Sequence, residues 1–340
     1  MADLNKAIAD KASFTKEKEE RIESIKYTRN TLSAPAELYR LNRLLYQETQ
    51  KFKIDLAVHY ATENLQIAKK MKRADLMTAA KLDLANVYFP LNKFLEAEEI
   101  LKSINPKLLS KPELSYYYLT RIQFFEHYIT NDDEAIYLDQ VHKYEDSLLQ
   151  VIDPYSLDYK VTRASKYIFS GKLNQAETYL VQLLKTTSDN SADYAMLSYY
   201  LGLDYEMQHK NTEAVGYYAA SAAADVRLSI KDNAAMQALA LLLYATNDID
   251  HAYQYTRSAL EDAWFCDSRF RTLHMSKFYA IINMAYLQKE AASKKQLQYY
   301  LILISLLSLF LAAAVIYKQM KRESRIKKEL DHKDSAARRS

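Results

Sequence analysis

Residues Ser198–Ser221 read SYYLGLDYEMQHKNTEAVGYYAAS, and the spacing inside this stretch decides the fold. Leu201-Gly202 and Tyr205 lie on one side, and Ala214, Tyr218 and Ser221 on the other. Such an arrangement suits two antiparallel helices. The small residues let the helices approach, and the large ones fill the gap between one helical pair and the next.

The positions match the pattern L-G-x2-Y … A-x3-F … A, so the stretch resembles a tetratricopeptide repeat. The match is partial, because Ser198 stands where that pattern has Trp. KLDLANVYFPLNKFLEAEEIL, residues 81–101, repeats it with Leu84, Ala85, Tyr88, Ala97 and Leu101. RASKYIFSGKLNQAETYL, residues 163–180, does so with Ala164, Tyr167, Ala176 and Leu180, and places Gly171 in the inter-helix turn. The alanine opening each second helix then forms a ruler: Ala57, Ala97, Ala135, Ala176, Ala214 and Ala252, with gaps of 40, 38, 41, 38 and 38 residues. About six repeats are expected over residues 33–268, forming an α-solenoid. Pro106, Pro112, TNDDEA before Ala135, Asp153–Ser156, Thr186–Ser191 and TNDIDHA before Ala252 supply turn and capping signals consistent with the ruler.

Composition agrees with an all-α class. The chain has 340 residues with only 3 Gly and 5 Pro, too few for the turns of β and α/β folds. No GxGxxG, GxxxxGK[ST] or GxSxG motif exists, which argues against a nucleotide-binding domain. The net charge of +3 is unevenly placed: nine Lys/Arg against four acids lie beyond Tyr317. The body therefore carries a slight negative charge and no face suited to nucleic acid. Cys266, the single cysteine, excludes an internal disulfide and reads as a buried small hydrophobe beside Trp264 and Phe265.

Residues 1–32 read as one charged helix, with Leu4, Ile8, Phe14, Ile22 and Ile25 as sparse apolar positions, capping the solenoid. From Arg269 to about Leu330 no helix breaker occurs, so residues 269–298 form a connecting helix that runs into a membrane span. That span, residues 299–317, holds nineteen uncharged residues, which reach about 28 Å as a helix. Eleven are Leu, Ile, Val or Phe, and Tyr299, Tyr300 and Tyr317 sit at the ends where interfacial aromatics belong. Six Lys/Arg closely follow the span (318, 321, 322, 325, 327 and 328) against three before it (289, 294 and 295). This bias places the basic tail, residues 318–340, in the cytoplasm and the repeats outside it. The polar start LNKAIADKASF is no export signal. The expectation is a bacterial inner-membrane protein, repeats in the periplasm, whose sequence is incomplete at both ends. A cytosolic adaptor held by a tail anchor is the alternative.

No catalytic, cofactor or metal site is expected. The histidines (59, 127, 142, 209, 251, 274 and 332) form no ligand pair, and His59, His127, His209 and His251 fall near turns or packed faces. Glu96, Glu98 and Glu99 read as a solvated face. His332, after the span, raises a sensor-kinase fragment as a further alternative, but a solvated tail residue is the better reading. The repeat pattern implies a concave face lined by first-helix positions. Registering it on the motif gives Asn86, Phe89, Ser165, Ile168, Tyr199, Glu206, Gln237 and Tyr244, in company with Leu82, Val161, Leu203 and Leu241. Such a mixture suits a protein or peptide partner. The Tyr clusters (116–118, 199–200 and 217–218) read as inter-helix packing. Homodimerisation is a further reading of the partner set, and nucleic acid is not expected within these residues.

LNKAIADKASFTKEKEERIESIK, ELYRLNRLLYQETQKFKIDLAVHYATENLQIAKKM and the membrane exit LSLFLAAAVIYKQMKRESRIKKEL resemble a family of tetratricopeptide membrane proteins of Bacteroidota. The resemblance implies a signal-transducing regulator: a signal peptide, periplasmic repeats, one span, then a cytoplasmic coiled coil and an output region, often DNA-binding. The tail KQMKRESRIKKELDHKDSAARRS is long enough only to start such a coiled coil. The function expected on these grounds is non-enzymatic signalling or regulation.

Overall fold

The structure is a computed structural model, and it describes residues 1–129 and 134–337. Among these residues it is all-helical. The helices are α1 (Ala2–Ala9), α2 (Lys11–Asn30), α3 (Pro35–Thr49), α4 (Ile54–Met71), α5 (Ala74–Tyr88), α6 (Phe94–Lys102), α7 (Lys111–Ile129), α8 (Glu134–Val151), α9 (Leu157–Phe169), α10 (Leu173–Leu184), α11 (Ala192–Met207), α12 (Asn211–Arg227), α13 (Ala234–Ala245), α14 (Ile249–Phe265) and α15 (Arg269–Ala337). The chain divides into two compact units, Met1–Ile282 and Asn283–Ser340.

The first unit contains six helical hairpins, α3/α4 to α13/α14. The alanine ruler has a structural cause. Ala57, Ala97, Ala176, Ala214 and Ala252 are each the fourth residue of the second helix, and all five are 0% exposed. A methyl group is what so closely packed a position admits. The Ala135 side chain and the turn signal at residues 130–133 lie outside the described residues. Five positions before four of these alanines the chain turns left-handed: Asn92 (φ 60°), Gly171 (φ 72°), His209 (φ 59°) and Asn247 (φ 66°). Each is followed by the same closing bond. The amides of Lys93, Lys172, Lys210 and Asp248 donate to the carbonyls of Tyr88, Tyr167, Tyr205 and Leu243 at 2.8–2.9 Å. This Schellman closure satisfies carbonyls at the end of the first helix and fixes the entry to the second.

Gly202 marks a close approach between α11 and α12. A Cβ there would stand 2.6 Å from Cδ1 of Tyr218, a ring that is 1% exposed. The main core runs on from this point through Leu197, Leu201, Tyr218, Leu239, Leu243 and Tyr255.

The path of hairpins closes on itself. Three backbone hydrogen bonds join its beginning to its end. Lys231 N–H donates to the Lys51 carbonyl at 2.8 Å, Ile54 N–H to that of Cys266 at 3.2 Å, and Phe270 N–H to that of Pro90 at 3.0 Å. Phe52 packs on Phe265 with ring centroids 5.2 Å apart. Cys266 is buried in the same cluster as Phe52 and Ile54, and burial pushes its thiol up to about 12.

The N-terminal segment spans this seam. It is two helices where one was expected, because the chain bends at Asp10 (φ −90°, ψ 3°). α1 lies on the late repeats: Tyr255 Oη donates to Asn5 Oδ1 at 2.8 Å, and Asp3 pairs with Arg227. α2 crosses to the early ones, where Lys18 meets Glu48 at 2.6 Å and Arg29 Nε donates to Asn42 Oδ1 at 2.6 Å. Midway, the Asp262 carboxylate holds both Lys11 (3.0 Å) and Lys231 (3.1 Å).

In the second unit, α15 continues through the apolar residues 299–317, all exposed. It is a helix long and apolar enough to cross a membrane, and fits a single-pass span.

Candidate functional site

A solenoid bent into a ring encloses its concave face. The result is a cavity of about 510 Å³ in the first unit, within the usual range for ligand pockets. Its wall comes from the first helices of the hairpins: Tyr46 and Gln47 from α3, Asp83 and Asn86 from α5, Tyr116 and Gln123 from α7, Asp158 from α9, Met196 and Tyr199 from α11, and Ala235 from α13. The C-terminal halves of α3 and α5 face inward, but on α9, α11 and α13 only the N-terminal parts do. The inward-facing portion thus slides along the first helix as the repeats rotate.

This slide separates the eight residues that the motif register assigned to the concave face. Asn86, Phe89 and Tyr199 line the cavity. Ser165 is 4% exposed and its Oγ donates to Glu145 Oε1 at 3.0 Å. Ile168 is 0% exposed in the core. Glu206 accepts from Tyr218 Oη at 2.6 Å, and Tyr244 packs on the core. Gln237, 5% exposed, lies 3.5 Å from Arg271 through its Oε1. Of the tyrosine clusters, Tyr116 and Tyr199 reach the wall. Tyr217 packs between helices, stacking on Tyr205 at 5.5 Å.

One side of the wall is a locked polar group. Tyr116 Oη donates to Asp83 Oδ1 at 2.6 Å and accepts from Asn86 Nδ2 at 2.9 Å. Arg43 stands 4.0 Å from the same carboxylate. Burial still pushes Asp83 up, against the pull of Arg43 and Tyr116.

Another part of the wall is built by residues the repeat pattern does not mark. Arg271 Nε, from the first turn of α15, donates to Asp232 Oδ1 at 2.6 Å. Burial alone would push Asp232 up, but the charges of Arg271 and Lys51 hold it below the usual carboxylate range. Asp225 lacks such a bond, and burial pushes it up to about 7. His127 Nδ1 lies 2.8 Å from the Gln123 carbonyl, and its ring sits 4.8 Å from Phe270. Burial, then the charge of Arg271, lowers it to about 4, so it is neutral at physiological pH. The shifts of Asp225 and His127 share their largest cause, burial: the ring replaces bulk water around these groups with protein.

Only one of these residues left a trace in the sequence. Asp225 interrupts AASAAADVR, an otherwise small and apolar run. Lys51, Asp232 and Arg271 sit in loops or the connecting helix, where repeat periodicity is silent. Among the described residues no group of His, Cys, Asp and Glu could hold a metal ion. The His332 side chain lies outside the described residues.

Residues 8–277 match the family model described as the SusR N-terminal TPR domain. No curated protein matches the chain. Among solved structures it is similar to the TPR2AB domain of yeast Sti1 in complex with pHSP90, at 12% identity over 82% of this chain and 98% of that one, with a TM-score of 0.32. A thermophilic TPR protein of Thermus thermophilus is 17% identical over 74% of this chain and 100% of that one, TM-score 0.31. The C-terminal part of a TPR repeat-containing protein of Cytophaga hutchinsonii is 14% identical over 75% and 92%, TM-score 0.31.

Proposed function

The chain belongs to the family of SusR N-terminal TPR domains, and from that membership we propose a non-enzymatic, membrane-anchored signalling protein whose repeat ring binds a protein or peptide partner. The ring stands in the periplasm, α15 crosses the inner membrane once, and the basic tail lies in the cytoplasm. The domain plan follows: a strap at 1–32, the repeats to 268, a connecting helix to 298, the span at 299–317 and the tail to 340.

The observation that carries this reading is the dual role of α15. Arg271, in its first turn, forms part of the cavity wall, and the same helix includes the apolar stretch 299–317. Occupation of the cavity therefore acts on the helix that would cross the bilayer, provided the partner binds two states of the ring unequally. A cavity of about 510 Å³ has room for a few residues of a partner, so a chain terminus or short extended segment is what it would admit.

Trypsin added to intact spheroplasts expressing the full chain tests the placement. Cleavage of the repeats from outside is expected. Protection until the membrane is breached would overturn it in favour of a cytosolic tail-anchored adaptor. A photo-crosslinking side chain at Tyr199, inside the cavity, compared with one at the exposed Tyr155, tests the partner site. Adducts specific to position 199 are expected, and equal labelling would count against the cavity.

A further inference from the structure

We propose that the cavity of the first unit seats a cationic nitrogen of a peptide, its amino terminus or a basic side chain, with the Asp225 carboxylate as counter-charge. The proposal rests on the reading of the ring as a partner site, and it names the part of the partner that enters.

Asp225 lines the cavity from the C-terminal half of α12 and is 9% exposed. Its carboxylate forms no hydrogen bond or close ion pair among the described residues. The cations around it are not its partners. Arg271 is committed to Asp232 at 2.6 Å, and Lys51 is exposed and pairs with no carboxylate among the described residues. A buried carboxylate without a partner is costly, and burial pushes this one up to about 7. A group that brings both donors and positive charge relieves that cost. The wall as a whole has the same sign. Five carboxyl side chains line the cavity against three permanent cations, Arg43, Lys51 and Arg271. Arg43 and Arg271 stand beside Asp83 and Asp232 at 4.0 and 2.6 Å, so Lys51 alone is set against the other acids. A carboxylate or phosphate would add to this excess, and a cation reduces it.

The surroundings leave the carboxylate open to such a group. Ser221 Oγ donates to the Ala195 carbonyl at 2.7 Å, and Asn233 Nδ2 to that of Ala222 at 3.4 Å. These bonds hold the starts of α11 and α13 beside the C-terminal half of α12. Ala192, Ala195, Ala234 and Ala235 line the cavity from those two starts, and their methyl groups bring no donor of their own to Asp225. In the other direction along the same wall, Tyr199 packs on Tyr218 with ring centroids 5.8 Å apart. Tyr218 and Asp225 are seven residues apart on α12, about 10 Å of helix rise. An extended peptide advances about 3.3 Å per residue. A segment of about three residues therefore reaches from Asp225 to Tyr199, with its charged end at Asp225.

Calorimetric titration of the full chain in detergent tests the seat. The cationic probes are trialanine amide with a free amino terminus, acetyl-Ala-Lys-Ala amide and acetyl-Ala-Arg-Ala amide, and the neutral probe is acetyl-trialanine amide. At least one cationic probe is expected to bind about ten-fold more tightly than the neutral one, and the probe that does so identifies the source of the charge. Asp225→Asn should abolish the preference, with circular dichroism confirming that the variant is folded. Equal binding of cationic and neutral probes, a preference that survives Asp225→Asn, or binding by none of them overturns the seat. The photo-crosslinking side chain at position 199 reads the partner role separately. Adducts there together with any of those three outcomes leave the ring standing as a partner site and overturn the seat alone. A preference that Asp225→Asn abolishes, without adducts at position 199, supports the seat and counts against the larger partner.

Discussion

The Cβ that Gly202 lacks would stand 2.6 Å from Cδ1 of Tyr218, and that ring is tethered at its far end by a 2.6 Å hydrogen bond to Glu206. Pinned at the hydroxyl and 1% exposed, Tyr218 has little room to yield. Gly202→Ala should therefore destabilise the protein by about 1–3 kcal/mol through overpacking, reduced by a helix-propensity gain of up to about 1 kcal/mol. Gly216→Ala provides the contrast, since a Cβ there meets nothing within 4 Å; a gain of about 0.5–1 kcal/mol is expected. Thermal melts of the two variants should move in opposite directions.

Asp262 is the common anchor of Lys11 and Lys231, and the latter pair is buried, with side chains 3% and 4% exposed. Asp262→Asn leaves the Lys231 ammonium without its counter-charge, a change worth about 3–5 kcal/mol. Replacing both partners with apolar residues, Asp262→Leu with Lys231→Met, should recover most of that loss in urea titrations. A double variant as unstable as Asp262→Asn would mean that the carboxylate does more than pair with its lysines.

Asp225 should make stability depend on pH in a predictable direction. Its folded-state value, about 7, lies above the ordinary carboxyl value of 3.8. The folded protein thus holds the proton more tightly, and the associated stability is complete below about pH 4 and lost as pH rises through about 7. His127, lowered to about 4, works oppositely: its contribution is present above about pH 6.5 and lost as pH falls. Asp225→Asn isolates the first effect. The variant should match the parent near pH 3.5 and exceed it at pH 8 by about 1–3 kcal/mol. Equal differences at both pH values would contradict this origin.

His209 occupies the left-handed turn position that Gly171 fills in another hairpin, at φ 59° against 72°. A histidine there carries a steric cost of about 1–2 kcal/mol that glycine avoids, against glycine's larger entropy loss of about 0.5–1 kcal/mol. His209→Gly should raise the melting temperature by a few degrees. A fall would show that the imidazole makes a compensating contact.

Deleting residues 299–317 should release a soluble repeat domain, because the core of the first unit draws only on residues up to Ile282. Circular dichroism is expected to show retained helix and a cooperative melt. Lost helix without a melt would contradict the independence of the ring.

Sequence periodicity resolves the hairpins because each needs a small residue at its crossing, and Ala97, Ala176 and Ala214 recur where geometry demands them. It fails at closure. The bonds from Lys231 N–H to the Lys51 carbonyl and from Phe270 N–H to Pro90 use only main-chain atoms, which leave no residue-type signature. The concave register leads to the cavity wall at Asn86, Phe89 and Tyr199 but not at Ser165, Ile168, Glu206, Gln237 or Tyr244. It assumes that one stretch of every first helix faces inward, whereas the ring displaces that stretch from repeat to repeat.

A linear array of repeats loses its ends first, since a terminal hairpin has one neighbour and its unfolding exposes little. The bonds between Ile54 and Cys266 and between Phe270 and Pro90 leave no hairpin in that position. To melt any one of them, two interfaces must break at once, while the remaining arc gains nothing until it opens further. Partial unfolding from either terminus is thereby penalised, and the body should behave in heat or denaturant as a single thermodynamic block rather than a chain of separable links.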